Sequence, residues 1–129
     1  MDKLDMIFSM QSALNEEIRQ TRNLSFSSSE WIQKETLAML SEMAKVLDEV
    51  NFKWWKNKKE IDEKALKEEL IDILHFFISL CIDAGMTADE MLEIYSRKNQ
   101  ENLDRQHGLS SKEGYAVSEN LNISKEAKK

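Results

Sequence analysis

Glu69, Asp72 and His75 lie inside the most apolar helix-length stretch of the chain, EELIDILHFFISL at residues 68–80. Glu69 and Asp72 are three residues apart and therefore share one face of a helix, whereas the spacing of His75 places it away from that face. A buried carboxylate is costly unless an opposite charge compensates it. The pair therefore predicts a nearby cation, either a basic side chain or a metal ion, and we interpret His75 as a structural histidine rather than a ligand.

Further acids recur on the segment before it. Glu35, Glu42 and Glu49 are spaced by seven residues and lie along the edge of one apolar helical stripe. If the two helices pack side by side, Glu42 can meet Glu69 and Asp72. Clustered carboxylates repel one another unless a cation neutralises them, and hard oxygen ligands suit Mg²⁺ or Mn²⁺, which commonly bridge to phosphates. The alternative is that these acids are solvated and paired with Lys34, Lys45 and Lys67.

Polar side chains also form a column on the last predicted helix. Its members, at offsets of four, seven and eight residues from the first, are Lys98, Asn102, Arg105 and Gln106. A lysine point charge beside the forked donors of an arginine suits a polyphosphate. Cations near the C-terminal end of a helix are also favoured by its dipole. That alternative explains the two cations but not the two amides on the same column.

Amide and aromatic side chains suggest a place for a nucleobase. Gln11 and Asn15 are four residues apart on the apolar stripe of the first predicted helix, where each amide needs a partner. They either bond to neighbouring helices or present donors and acceptors to the edge of a base. Trp54 and Trp55 lie in a lysine-rich loop. They either stack on a base or pack into the core, and we favour core packing.

The composition predicts an all-α protein. The 129 residues contain no proline and only three glycines, and they are enough for one domain with its own core. Hydrophobic periodicity and caps predict helices over about residues 3–22, 29–50, 62–84 and 87–106. The third is apolar on nearly all sides and therefore central. The second is expected to bury its apolar stripe, which consists of Met39, Met43, Val46, Leu47 and Val50. We expect a four-helix bundle over residues 1–108 and a polar tail over residues 109–129.

The net charge and the cysteine content limit which partners and which cellular location are expected. The net charge of −6 argues against a nucleic-acid-binding protein, which usually has a basic face. The single cysteine, Cys81, lies in an apolar run, so a disulfide framework is excluded and a cytoplasmic location is expected. No signal peptide and no membrane-spanning stretch are predicted.

Four stretches, taken in order, resemble the all-α nucleotide pyrophosphohydrolases, the superfamily that includes MazG. The resemblance is closest to the dimeric dUTP diphosphatases and covers roughly residues 8–108. The matching stretches are MQSALNEEI, SEMAKVLDEVNFKWWK, EELIDILHF and KNQENLDRQHG. Each stretch alone is weak evidence for the resemblance, but the four stretches in this order are fairly specific to the superfamily.

The resemblance implies a Mg²⁺-dependent dUTP diphosphatase that forms a homodimer. In such enzymes, water activated by metal ions attacks the α-phosphorus of dUTP and yields dUMP and pyrophosphate. By position, Glu42, Glu69 and Asp72 would be the catalytic metal ligands. Lys98, Asn102 and Arg105 would hold the phosphates. The residues implied around the base are Gln11, Asn15, Trp55 and Phe76.

One position departs from the family pattern. Where its ExxE motif has a second glutamate, this chain has Lys45, three residues after Glu42. A lysine there removes one anionic ligand and repels a metal ion. Glu49 is a possible replacement ligand. The alternatives are a pyrophosphohydrolase for another nucleotide, such as dCTP or a modified nucleotide, and a weakly active or non-catalytic nucleotide-binding protein in which Lys45 occupies the place of a metal.

Overall fold

Helices are the only regular elements in residues 1–117, the part of the chain that the computed structural model describes. They are α1 (Lys3–Thr21), α2 (Ser28–Glu49), α3 (Glu63–Asp83) and α4 (Ala88–Gln106). The prediction of an all-α fold with four helices is confirmed, and each boundary lies within about two residues of its expected place. Within the described residues, no single helix has both the length and the apolar composition needed to cross a membrane.

Local capping sets the helix ends. The side chain of Ser27 accepts a hydrogen bond from the Glu30 amide at 3.2 Å, and Asp62 accepts one from the Ala65 amide at 3.1 Å. Each satisfies a backbone donor that the first helical turn leaves free. Gly85 follows α3 with φ of 82°, a left-handed conformation that glycine adopts without steric cost.

Residues 1–88 form the first of two compact units, in which α3 contacts both α1 and α2. The central position predicted for α3 is therefore confirmed. Phe8, Ile78 and Cys81 are buried there. The prediction that the apolar stripe of α2 is buried is wrong for a single chain, because Met43 and Leu47 remain almost half exposed.

A lysine-rich loop joins α2 to α3. Asn51 closes it: the side-chain amide donates to the Lys59 carbonyl at 2.8 Å, and the Lys59 amide donates back to the Asn51 side chain at 3.0 Å. Trp54 and Trp55 meet edge to face at 4.7 Å and are 84% and 60% exposed. The interpretation of these tryptophans as core residues is therefore wrong: the loop is held by Asn51 and leaves both rings at the surface.

The second unit begins at residue 89 and contains all of α4 except its first residue. Within it, Glu101 accepts hydrogen bonds from Arg105 at 3.3 Å and from Ser110 at 2.7 Å. The guanidinium of Arg105 also lies 5.5 Å from the centre of the Tyr115 ring. These contacts tie the end of α4 to residues 110–115. The part of the predicted polar tail from residue 118 onward lies outside the described residues.

Candidate active site

Three carboxylates meet where α2 packs against α3. One oxygen from each of Glu42, Glu69 and Asp72 lies within 4.8 Å of the other two. Glu42 and Glu69 are half buried and Asp72 is exposed. The two residues of α3 share one face because they are three positions apart, and Glu42 reaches them from the adjacent edge of α2. We refer to these three residues as the carboxylate cluster.

The carboxylate cluster has the properties of a divalent-cation site. Oε2 of Glu42 and Oε2 of Glu69 are buried, and neither has a hydrogen-bond partner among residues 1–117. Close contact with Glu42, followed by burial, raises the pKa of Glu69. Both observations show negative charge that the surrounding protein leaves poorly compensated. Because hard oxygen ligands are what Mg²⁺ and Mn²⁺ prefer, the residues present fit such an ion.

Lys45 is the basic residue beside this cluster. Its ammonium nitrogen lies 3.3 Å from Oε1 of Glu42. This hydrogen bond raises the pKa of Lys45, and the charges of Glu42, Glu69 and Asp72 add to the rise. The side chain of Lys45 is more than half exposed, so it has room to move away from Glu42. The position that departs from the family motif therefore contributes a counter-ion to Glu42.

Glu49 does not join the carboxylate cluster. It is the last residue of α2 and lies seven residues beyond Glu42. Seven residues of α-helix span about 10.5 Å, which separates the two carboxylates along the helix axis. Glu49 therefore lies apart from the carboxylate cluster, and its role as a replacement metal ligand remains a prediction.

A chain of polar side chains runs between the helices of the first unit. Nδ1 of His75 lies 2.7 Å from Oε1 of Gln11, whose Nε2 donates to Oδ1 of Asn15 at 2.9 Å. Nδ2 of Asn15 donates to Oγ of Ser79 at 2.8 Å, and the Ser79 hydroxyl donates to Oε1 of Glu35 at 2.5 Å. We call these five residues the polar chain. It satisfies the inward amides of α1 through neighbouring helices.

Glu35 ends the polar chain in a buried position. Burial raises its pKa to about 7, and the nearby carboxylate of Asp83 adds to the rise, whereas Ser79 and Arg19 lower it. Arg19 lies 3.0 Å from both oxygens of Asp83 but 3.4 Å from Glu35. The arginine is therefore engaged mainly by Asp83, and Oε2 of Glu35 has no hydrogen-bond partner in the described part of the chain.

A cavity of about 240 Å³ opens beside the polar chain. Gln11, Asn15 and Phe76, three of the four residues predicted to surround a base, lie in its wall. Trp55, the fourth, does not line it. The remaining lining residues are Leu14, Ile18, Arg19, Trp31, Glu35, His75 and Ser79. We call this space the polar cavity.

The polar cavity and the carboxylate cluster lie on the same seam between α2 and α3. Glu35 precedes Glu42 by seven residues, and Ser79 follows Asp72 by seven. The two sites are therefore about 10.5 Å apart along both helices. This separation is comparable to the distance from a nucleobase to the phosphates of the same nucleotide.

The predicted phosphate-binding residues lie on α4, in the second unit. Lys98 and Asn102 are exposed, whereas Arg105 is half buried against Glu101 and Tyr115. The hydrogen bond from Ser110, followed by that from Arg105, lowers the pKa of Glu101 and keeps the carboxylate charged. The role of all three residues in binding phosphates remains a prediction.

Sequence reasoning assigned no place at the site to Arg19, Trp31, Glu35 or Ser79. A signal for two of them was present, because Glu35 and Ser79 are each one heptad from a predicted metal ligand. Ser79 is also a polar residue in the most apolar part of α3. Nothing in the spacing showed that the two side chains would bond to each other.

Comparison with known proteins adds independent information. A family described as dUTPase matches residues 3–91. A dCTP pyrophosphatase of Enterobacteria phage T4 is 34% identical over 87 residues, which cover 57% of this chain and 51% of the relative. A dCTP pyrophosphatase of Enterobacteria phage LZ5 is 36% identical over 74 residues, covering 57% and 43%.

A DNA replication protein of phage T4 is 33% identical over 85 residues, which cover 55% of this chain and 22% of the relative. The chain thus spans about half the length, or less, of the curated relatives it matches. No solved structure is significantly similar to it. The family match includes all of α1, α2 and α3 and hence both the carboxylate cluster and the polar cavity. The chain therefore belongs to the dUTPase family of nucleotide pyrophosphohydrolases.

Proposed function

We propose that the protein hydrolyses a pyrimidine deoxynucleoside triphosphate to the monophosphate and pyrophosphate. The observation that supports this most strongly is the carboxylate cluster, in which Glu42, Glu69 and Asp72 converge with two buried, unpartnered oxygens. Family membership and the names of the phage relatives point to the same reaction. The triphosphate of the substrate is negatively charged. A site built from carboxylates can bind it only if a cation lies between the carboxylates and the phosphates.

In the proposed reaction the oxygen of a water molecule bonds to the α-phosphorus. The bond between that phosphorus and the oxygen that bridges it to the β-phosphorus breaks. Pyrophosphate leaves with the electron pair of that bond, and the proton of the water passes to solvent or to a carboxylate. Mg²⁺ or Mn²⁺, held by Glu42, Glu69 and Asp72, would lower the pKa of water and neutralise phosphoryl oxygens. The chain itself fixes the ligands, since α3 presents two of them three residues apart.

We place the base in the polar cavity. Phe76 and Trp31 supply aromatic surface, and Gln11 and Asn15 supply amide groups. The sugar and α-phosphate would then follow the seam between α2 and α3 toward the carboxylate cluster. Lys98, Asn102 and Arg105 are proposed to bind phosphates, on the basis of their column on α4.

Two substrates are supported by different observations. The family description favours dUTP. The names of the two phage pyrophosphatases favour dCTP. Both candidate bases are pyrimidines, so the proposal at this level is the reaction and the pyrimidine class.

A nucleotide panel tests the proposal. Purified protein is incubated with each common deoxynucleoside and ribonucleoside triphosphate at millimolar Mg²⁺ or Mn²⁺, and pyrophosphate release is measured. We expect release from a pyrimidine deoxynucleotide and its loss in Asp72→Ala. The absence of turnover with every nucleotide would refute the activity. Calorimetry with and without divalent ions would then test the non-catalytic alternative, which predicts nucleotide binding independent of the metal.

We also propose a homodimer. An apolar groove of about 380 Å³ lies between α1 and α3, lined in part by Met10, Leu14 and Ile71, each roughly half exposed. An apolar surface of this kind is typical of a face covered by another chain. The resemblance to dimeric enzymes makes a second copy of this chain the expected partner. Sedimentation as a monomer at micromolar concentration would contradict this proposal.

A further inference from the structure

We infer that Glu35 is a specificity-determining residue that binds the exocyclic amine of cytosine, so that the substrate is dCTP rather than dUTP. This inference rests on the proposed function, because it takes the polar cavity as the base site. It goes beyond that proposal by assigning the base preference to one side chain that the family motifs do not include.

The burial of Glu35 is the first observation. Its side chain is only 10% exposed, and it lines the polar cavity. Of its two oxygens, Oε1 accepts from Ser79, whereas Oε2 is buried without a hydrogen-bond partner among the residues described. A buried carboxylate oxygen without a donor is unfavourable. A ligand that brings an N–H group to this oxygen would supply the missing bond.

The direction of the polar chain is the second observation. Because the Ser79 hydroxyl has one proton and gives it to Glu35, its oxygen accepts from the amide nitrogen of Asn15. The Asn15 oxygen can then accept from Gln11. Each of these two amide nitrogens has a second proton that the polar chain does not use. The wall of the cavity therefore contains one acceptor, on Glu35, and spare donors on Asn15 and Gln11.

The pattern of one acceptor beside several donors matches cytosine. Its exocyclic N4 donates, whereas N3 and O2 accept. Uracil has an accepting O4 and a donating N3. Above about pH 7, where Glu35 is ionised, O4 of uracil would therefore face its carboxylate acceptor to acceptor. A site whose buried polar group is left unpaired discriminates strongly against the wrong ligand.

The neighbouring charges leave Glu35 available for this role. Arg19 contacts both oxygens of Asp83 at 3.0 Å and lies farther from Glu35, at 3.4 Å. The guanidinium also stacks on Trp31, 4.1 Å from the ring centre, which restrains its position. Arg19 thus satisfies Asp83 first. The carboxylate of Asp83 also lies beside Glu35, but an acceptor held by Arg19 offers Glu35 no donor.

The test compares dCTP and dUTP hydrolysis at pH 8, above the pKa of Glu35, by wild type, Glu35→Gln and the control Glu30→Gln. Both variants replace a carboxyl of α2 by an amide at nearly constant volume, but Glu30 is exposed at the start of the helix. We expect wild type and Glu30→Gln to prefer dCTP in kcat/KM by about 10- to 100-fold, as one specific base contact allows. In Glu35→Gln the preference should fall at least tenfold, mainly through slower dCTP hydrolysis.

A ligand-side measurement removes the dependence on variant folding. Calorimetry measures the binding of dCMP, dUMP and the corresponding monophosphate of pyrimidin-2-one, which lacks the exocyclic amine. Wild type should bind dCMP at least tenfold more tightly than either of the others. In Glu35→Gln the three affinities should become similar.

The outcomes separate this inference from the proposed function. Hydrolysis with a preference for dUTP, or a preference for dCTP that Glu35→Gln leaves unchanged, would overturn the role of Glu35 while the activity stands. Selective binding of dCMP that requires Glu35, without hydrolysis of any triphosphate, would support the inference and refute the activity. Equal binding of all three monophosphates by wild type would overturn the inference.

Discussion

The ammonium nitrogen of Lys45 lies 3.3 Å from Oε1 of Glu42, so the chain places one of its own cations at the edge of the carboxylate cluster. Lys45 stands at the position where the ExxE pattern has its second glutamate, so the departure from that pattern replaces an acidic ligand by a counter-ion. The lysine compensates one carboxylate, whereas Oε2 of Glu42 and Oε2 of Glu69 remain unpartnered in the region described. Lys45 is thus a counter-ion for part of the cluster and leaves acidic oxygens for a metal ion.

Replacing this lysine should strengthen metal binding. Lys45→Glu removes a charge that repels a divalent ion and adds a carboxylate three residues after Glu42, on the same side of α2. We expect the Kd for Mn²⁺ to fall at least tenfold and pyrophosphate release to rise at limiting Mg²⁺. Calorimetric titration with Mn²⁺ measures the first effect.

The matched control for this variant is Lys64→Glu, which makes the same change of charge at an exposed position in the first turn of α3. It should leave Mn²⁺ affinity close to that of wild type. An equal gain in both variants would attribute the effect to net charge rather than to the site.

The stability of the protein should depend on pH through Glu35. The folded protein holds the pKa of this carboxyl at about 7, above its ordinary value of 4.5, so the folded state retains a proton that the unfolded chain loses. The contribution of this proton uptake by Glu35 to the unfolding free energy is fully present below pH 4.5 and is lost as the pH rises through about 7. We expect wild type to lose on the order of 1–3 kcal/mol of unfolding free energy over this range relative to Glu35→Gln. Urea unfolding at pH 5, 6, 7 and 8 measures the difference.

Glu30→Gln is the appropriate comparison here too, because it removes an exposed carboxylate from the same helix. The change of its unfolding free energy between pH 5 and pH 8 should match that of wild type, even though the variant alters the hydrogen bond that Ser27 donates to Glu30. If Glu35→Gln also follows wild type, then Glu35 does not change its proton affinity on folding.

The start of α2 should depend on one hydroxyl. Ser27 accepts from the Glu30 amide at 3.2 Å, so Ser27→Ala leaves that donor without its cap. We expect a loss of about 0.5–2 kcal/mol in unfolding free energy, measured by urea unfolding. Ser29→Ala, two residues into the same segment and exposed, removes an equivalent hydroxyl without removing the cap and should change stability little.

Local signals explain why the helices could be predicted from the sequence. Ser27, Asp62 and Gly85 act on backbone groups within three residues of themselves, so their effect is visible in the sequence alone. The face shared by Glu69 and Asp72 follows from helical spacing. Their meeting with Glu42 needed one further assumption, that α2 packs against α3, which the apolar character of α3 favoured.

Long-range pairing explains what the sequence did not reveal. The polar chain joins Gln11 to His75 and Ser79 to Glu35, residues 64 and 44 positions apart. No spacing rule specifies such partners. Trp54 and Trp55 were placed in the core because aromatic residues usually favour burial, but a loop closed by Asn51 leaves them exposed. Apolar residues of α2 were likewise expected to be buried, on a pattern that does not distinguish a core from a face between subunits.

The most direct test of the account is a calorimetric titration of wild type and Asp72→Asn with Mn²⁺. It measures whether the carboxylate cluster between α2 and α3 holds a divalent ion. The substitution keeps the size of the side chain and removes one charge from an exposed member of the cluster, so folding should be preserved. We predict that wild type binds Mn²⁺ and that Asp72→Asn weakens this binding at least tenfold. The same Mn²⁺ affinity in both proteins, or none in either, would contradict the account.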